Sequence, residues 1–203
     1  MRPRTVSAAG PTWVAMGAAL ALCLAMASQA SAQRRRGSGI DPRARRGFTL
    51  EAGLGVGFTQ VFPDVGDGEG HVGIAPLSFS VGGYVNPRLA LLFRASGTSY
   101  FDGPGRGRLR DSVVAAVYAF HVKWWVLPRL YLGGGGGLAA FGGLFDSDDA
   151  DDLDLGFGTT FRIGLAFPVH RKHALGVAFE LMTMFTGEAT LLAQAVTFEW
   201  HFY

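Results

Sequence analysis

Cysteine is nearly absent from this sequence. The one thiol, Cys23, lies inside an apolar N-terminal run, so the chain beyond it has no disulfide framework and no thiolate chemistry. Net charge is scarce as well, at +2 over 203 residues, and it falls to zero once Arg2 and Arg4 are set aside. That excludes a strongly basic nucleic-acid binder. Long apolar runs are also missing. The apolar run near the N-terminus, "WVAMGAALALCLAMA" at 13–27, has 15 residues, short of the roughly 20 that a membrane-spanning helix needs.

That short run has a role of its own. Arg2 and Arg4 form a basic start, the apolar run follows, and Ala30-Ser31-Ala32 is an A-x-A cleavage signal. Residues 1–32 are therefore expected to be a cleaved export signal, with the mature chain starting at Gln33. Residues 33–47, "QRRRGSGIDPRARRG", are polar, basic and aperiodic, and read as a disordered, solvated tail ahead of the first strand.

What the sequence has in plenty is glycine, 30 residues, about twice the usual share. It also has strict alternation. In "LGFGTTFRIGLAF" (155–167), Leu155, Phe157, Phe161, Ile163, Leu165 and Phe167 fall on one side. Gly156, Gly158, Thr160, Arg162, Gly164 and Ala166 fall on the other. A period of two marks a β-strand with unlike faces. The pattern recurs at about 48–59, 75–85, 89–101, 112–126, 129–141, 174–186 and 191–203, with a single blur at Leu92. Eight strands result.

Their connections alternate in length. "VNPR" (85–88), "VLPR" (126–129) and "PVHRKH" (168–173) are tight turns, whereas 60–74, 102–111 and 142–154 are longer loops, with a shorter one near 186–190. Short turns at one end and long loops at the other describe an up-and-down transmembrane barrel. Eight strands enclose just enough room for side chains. With the bulky faces inward, that space would be overfilled and a Gly/Ala/Thr exterior would face water. With them outward, lipid takes the Phe, Leu and Val, and closure satisfies the backbone. The fold class is thus all-β: an eight-stranded antiparallel up-and-down transmembrane β-barrel over 48–203.

The inward face then carries Glu51, Arg94, His121, Lys123, Arg162, Glu180, Glu199 and His201, a charge network expected to plug the lumen. In the hairpin of strands six and seven, Arg162 lies opposite Glu180, and the two are expected to form a salt bridge. A narrow path for water, ions or small solutes is the alternative, because "GGGGG" (133–137) fills little volume. Trp124, Tyr131, Trp200 and Phe202 are placed as interfacial aromatics, and Trp125 points into the barrel mouth.

Eight strands, short turns, long loops and the terminal "AVTFEWHFY" resemble the OmpA/OmpX-type outer-membrane barrels of Gram-negative bacteria. The resemblance implies insertion by the barrel-assembly machinery, which reads a terminal strand such as Val196, Phe198, Trp200 and Phe202. Here Tyr203 extends one residue further. It also implies an outer-membrane location, lipid and lipopolysaccharide as surroundings, periplasmic termini and four outer loops.

Chemistry in the loops is expected to be modest. Asp146, Asp148, Asp149, Asp151, Asp152 and Asp154 make an acidic loop, without the Gly and Glu of an EF-hand. With Arg106, Arg108 and Arg110 of the neighbouring loop it offers contact to divalent cations or lipopolysaccharide phosphates. Some barrels of this size edit lipid A, but that needs a Ser activated by His. His71 and Ser99 are the nearest candidates, and no H-x-S pair occurs. His170 and His173 sit in a basic turn and read as solvated. We expect no catalysis, no cofactor and no resident metal, and a structural or surface-contact role.

Overall fold

The computed structural model describes residues 45–63, 69–101, 112–143, 154–170, 172–187 and 189–203. The expected export signal, the expected tail up to residue 44, Asp146–Asp152 and Arg106–Arg110 lie outside the described residues. Eight strands follow in chain order: β1 (Gly47–Pro63), β2 (Glu69–Asn86), β3 (Leu89–Phe101), β4 (Ser112–Trp125), β5 (Leu130–Gly143), β6 (Asp154–His170), β7 (His173–Phe185) and β8 (Ala189–Phe202). Each pairs antiparallel with the next, and β1 pairs with β8 to close the ring. No edge remains, so every strand has a partner on both sides, the condition for crossing a membrane as a sheet. The fold is an eight-stranded transmembrane β-barrel.

Alternation sets the two faces. Leu54, Val56, Leu77, Leu91, Phe93, Phe120, Trp124, Phe157, Phe161 and Phe198 are exposed on the outside, whereas Thr49, Glu51, Ser80, Arg94, Lys123, Arg162, Glu180 and Glu199 are buried within. Leu92, which blurred strand three, points inward and is buried. Phe120 is 79% exposed and holds the outer face at mid-strand. Phe120→Lys is therefore expected to destabilise the protein by about 2 kcal/mol, the low end for a cation on the lipid face. Equilibrium unfolding in lipid vesicles measures this, and an unchanged midpoint would contradict a lipid-facing Phe120.

Strand two starts at Glu69, six residues before the alternation becomes regular. The cause lies at Pro76. Gly53 pairs with Ser78 but Gly55 with Ala75, so β2 carries an extra residue there. Proline lacks a ladder donor and is tolerated at such a bulge, and the extra residue flips the phase of the alternation beyond it.

Candidate functional site

The lumen is filled in three layers between its two ends, called here the turn end and the loop end. Nearest the loops is an apolar layer: Ala115, Val117, Ala139, Met182, Met184, Leu191 and Ala193, with Val61 and Phe141 packed against it. Its border with the polar region is marked by Ser96 Oγ, 3.5 Å from Met182 Sδ. Two residues along β3, the Thr98 hydroxyl bonds to that of Thr59 on β1 at 2.7 Å.

The middle layer is ionic. Arg94 on β3 reaches across to Glu180 on β7 as a two-pronged fork, Nε to Oε1 at 2.9 Å and Nη2 to Oε2 at 2.6 Å. Its Nη1 donates to Ser80 Oγ at 2.8 Å. Lys123 on β4 donates to Glu51 on β1. Arg162 on β6 donates to Glu199 on β8 and lies 3.3 Å from Glu51. Arg94 also approaches Glu199 at 3.8 Å. His201 lies between two carboxylates, Nδ1 at 3.3 Å from Glu51 and Nε2 at 3.5 Å from Glu199. Three carboxylates thus meet three basic side chains, Arg94, Lys123 and Arg162, so the formal charges balance within the layer. These groups are all buried, and their mutual contacts take the place of solvation.

The pairing differs from the expectation in one respect. Arg162 and Glu180 are directly opposite in the β6–β7 register, yet they do not form the ion pair expected of them. Arg162 bonds to Glu199 and Glu51, and Glu180 bonds to Arg94. Long side chains that leave adjacent strands in parallel extend into the narrow lumen, where their charged ends meet partners from non-adjacent strands, β3 for Glu180 and β8 and β1 for Arg162. His121 is brought to the same depth but not into the network. Among the described residues neither of its ring nitrogens has a hydrogen-bond partner.

Tyr131 also departs from its assigned place. It is 0% exposed, inside the lumen and not at the lipid interface. Leu130 and Leu132 take the outer face, so alternation turns Tyr131 inward, opposite Trp125. Gly164 makes the space: a Cβ there would meet the Tyr131 hydroxyl at 2.4 Å. The phenol donates to Glu199 and accepts from Arg162 Nη2 at 3.0 Å. A second ring uses β5 in the same way, since His121 lies over Gly133. The glycines of β5 therefore do not leave the lumen open. The His121 ring covers Gly133, and the β4 backbone closes against Gly135 and Gly137.

The third layer, at the turn end, is aromatic: Trp125, Tyr131 and Tyr203, with Tyr84 beside them. Lys123 Nζ approaches it from the ionic side, 3.8 Å from the Tyr131 ring centroid and 4.9 Å from that of Trp125. Arg45 approaches from the other side, 3.6 Å above Trp125. Arg45 falls within the stretch expected to be a solvated tail, but it is 1% exposed. Its guanidinium is held by an aromatic face and a backbone carbonyl, neither of which a charge pattern reveals.

On the outer wall at the turn end, Trp124 and Trp200 are exposed and Phe202 is half-buried. His173, read as solvated, stacks on Trp200 at 5.5 Å between centroids and touches Phe202 at 5.4 Å. Ser99 pairs with Ile74, and His71 with Thr59. Among the described residues, no three His, Cys, Asp or Glu side chains are grouped to hold a metal ion.

No protein-family model matches the chain, and no curated protein sequence matches it. Solved structures do. The attachment invasion locus protein Ail of Yersinia pestis superimposes with a TM-score of 0.50 at 12% identity, covering 77% of this chain and 99% of Ail. Neisserial surface protein A gives 0.54 at 11% identity, covering 76% and 96%. At this identity the likeness is one of fold. Strand number, closure and faces agree with it: the chain has the fold of the OmpA/OmpX-type eight-stranded outer-membrane barrels.

Proposed function

We propose that this protein is an outer-membrane barrel with a sealed lumen, whose work is structural or done by contact at its outer surface, without catalysis. The observation that supports this reading is the filled interior. A charge-balanced ionic layer lies between an apolar plug and an aromatic one. An ion entering the barrel would have to displace buried partners in each layer, which costs several kcal/mol per broken pair. Surface contact is consistent with the similarity to a surface protein and an attachment protein. The acidic residues Asp146–Asp152 and the basic Arg106, Arg108 and Arg110 supply the chemistry for it. Carboxylates bridge through divalent cations to lipopolysaccharide phosphates, and guanidinia bind such phosphates directly. The outer membrane, reached through the export signal, is the matching location, and the terminal strand Val196–Phe202 is the segment for the assembly machinery.

Single-channel recording of the refolded protein in a planar bilayer tests the sealed lumen. The unmodified protein is expected to be silent. Stable, resolvable openings would overturn the reading in favour of a narrow channel.

A further inference from the structure

The turn-end mouth contains a feature that a sealed barrel does not need for its outer contacts. Arg45 is the first described residue, two positions before β1, and it is folded back over the opening. Its guanidinium carbon lies 3.6 Å from the Trp125 ring centroid and 5.9 Å from that of Tyr203. Nη2 donates to the carbonyl of Pro128, in the turn between β4 and β5. The rings around it brace one another. Trp125 Nε1 donates to Tyr84 Oη at 3.3 Å. Tyr203 stands 6.1 Å from both Tyr84 and Trp125, between ring centroids.

The backbone is built for this fold-back. Among the described residues Gly47 alone has a positive φ, +74°, a conformation that glycine adopts freely and other residues resist. A Cβ at Gly47 would meet nothing within 4 Å. Glycine is required there by the turn and not by crowding. That turn carries Arg45 from the rim of β1 across the mouth.

The chemistry of the site selects its occupant. Among the described residues, no carboxylate forms a salt bridge with Arg45. It is recognised by an aromatic face and a carbonyl at its edge. A guanidinium suits such a site because it is planar, delocalised and weakly hydrated, whereas an ammonium is compact and strongly hydrated. Desolvated stacking over tryptophan is the strongest form of the cation–π contact. We propose that the turn-end mouth is a guanidinium-binding aromatic site, occupied by the chain's own Arg45, and that this contact closes the barrel at that end. The assignment is independent of what the loops bind.

Trp125 reports on the seal. In the full chain carrying Trp13→Phe, Trp124→Phe and Trp200→Phe, it is the one remaining tryptophan, and acrylamide quenching in detergent micelles measures its access to water. Arg45→Ala is expected to raise the quenching constant several-fold. Added ethylguanidinium should return it to the parent value, and ethylammonium at the same concentration should not. Gly47→Val keeps Arg45 but penalises the turn, and is expected to raise quenching to a smaller extent. Heat-dependent gel mobility confirms that each variant is folded, and Gly47→Val carries the test should Arg45→Ala fail to refold. Quenching unchanged in the folded variants would overturn the seal. Equal rescue by the two cations would overturn the guanidinium site.

Discussion

Arg162→Ala is expected to destabilise the barrel by about 3–5 kcal/mol, the range for removing one partner of a buried ion pair. Arg162 is the group that ties the ionic layer together, because from β6 it contacts Glu51 on β1, Glu199 on β8 and Tyr131 on β5. Its removal leaves three carboxylates facing two basic side chains, Arg94 and Lys123. Glu51 keeps Lys123 and His201. Glu199 fares worse, since its remaining permanent cation is Arg94 at 3.8 Å, already committed to Glu180. The penalty is therefore mainly that of an underpaired buried carboxylate. This explanation makes a second demand. Removing the charge of both partners, in Arg162→Met with Glu199→Gln, should recover much of the loss, because a neutral replacement leaves no orphan. Urea unfolding of the refolded protein in vesicles gives both numbers. A loss below about 1 kcal/mol for Arg162→Ala, the level of an exposed pair, would mean that the layer is hydrated and its charges are screened.

The same residue marks the boundary of what the sequence discloses. A period of two assigns a face to each residue, so Arg162, Glu180, Lys123 and Glu51 were legible as lumen residues, and with them the closure into eight strands. Pairing within the lumen was not legible. Register names the neighbour on the next strand, here Glu180 for Arg162, but a long side chain bonds across the barrel to a strand far away in sequence. Tyr131 was lost for a different reason. Its position between Leu130 and Leu132 points it inward, whereas its proximity to a turn and to Trp124 is equally the mark of an interfacial aromatic. The first six residues of β2 were hidden by the Pro76 bulge, which reverses the phase. Arg45 left no periodic trace at all. A single residue beyond the first strand has no alternation to belong to, and Gly47 was one glycine among 30.

Those glycines are not equivalent, and β5 provides the sharpest contrast. Gly135→Ala is expected to destabilise the protein by about 3 kcal/mol, the upper end for overpacking. Gly134→Ala is expected to be neutral or to stabilise by about 0.5 kcal/mol, the gain from replacing glycine inside a strand. The two residues are adjacent, and the substitution is the same. What differs is the approach of the neighbouring backbone. A Cβ at Gly135 would lie 2.1 Å from the carbonyl oxygen of Phe120 and 2.8 Å from the Cα of His121. Neither atom belongs to a flexible side chain, so relief requires β4 and β5 to move apart, straining the hydrogen-bonded ladder between them. Gly137 is under the same constraint, 2.0 Å from the Tyr118 carbonyl oxygen. At Gly134 the nearest atom is the Thr160 carbonyl oxygen at 3.5 Å, an ordinary contact on the outward side. Unfolding midpoints of the two variants, measured side by side in vesicles, decide the matter. Equal effects would mean that "GGGGG" is kept for flexibility along its whole length. Opposite effects would mean that its lumen-facing members are there to let two strands pack backbone to backbone, which brings His121 over Gly133 and fills the interior that the missing side chains would otherwise leave open.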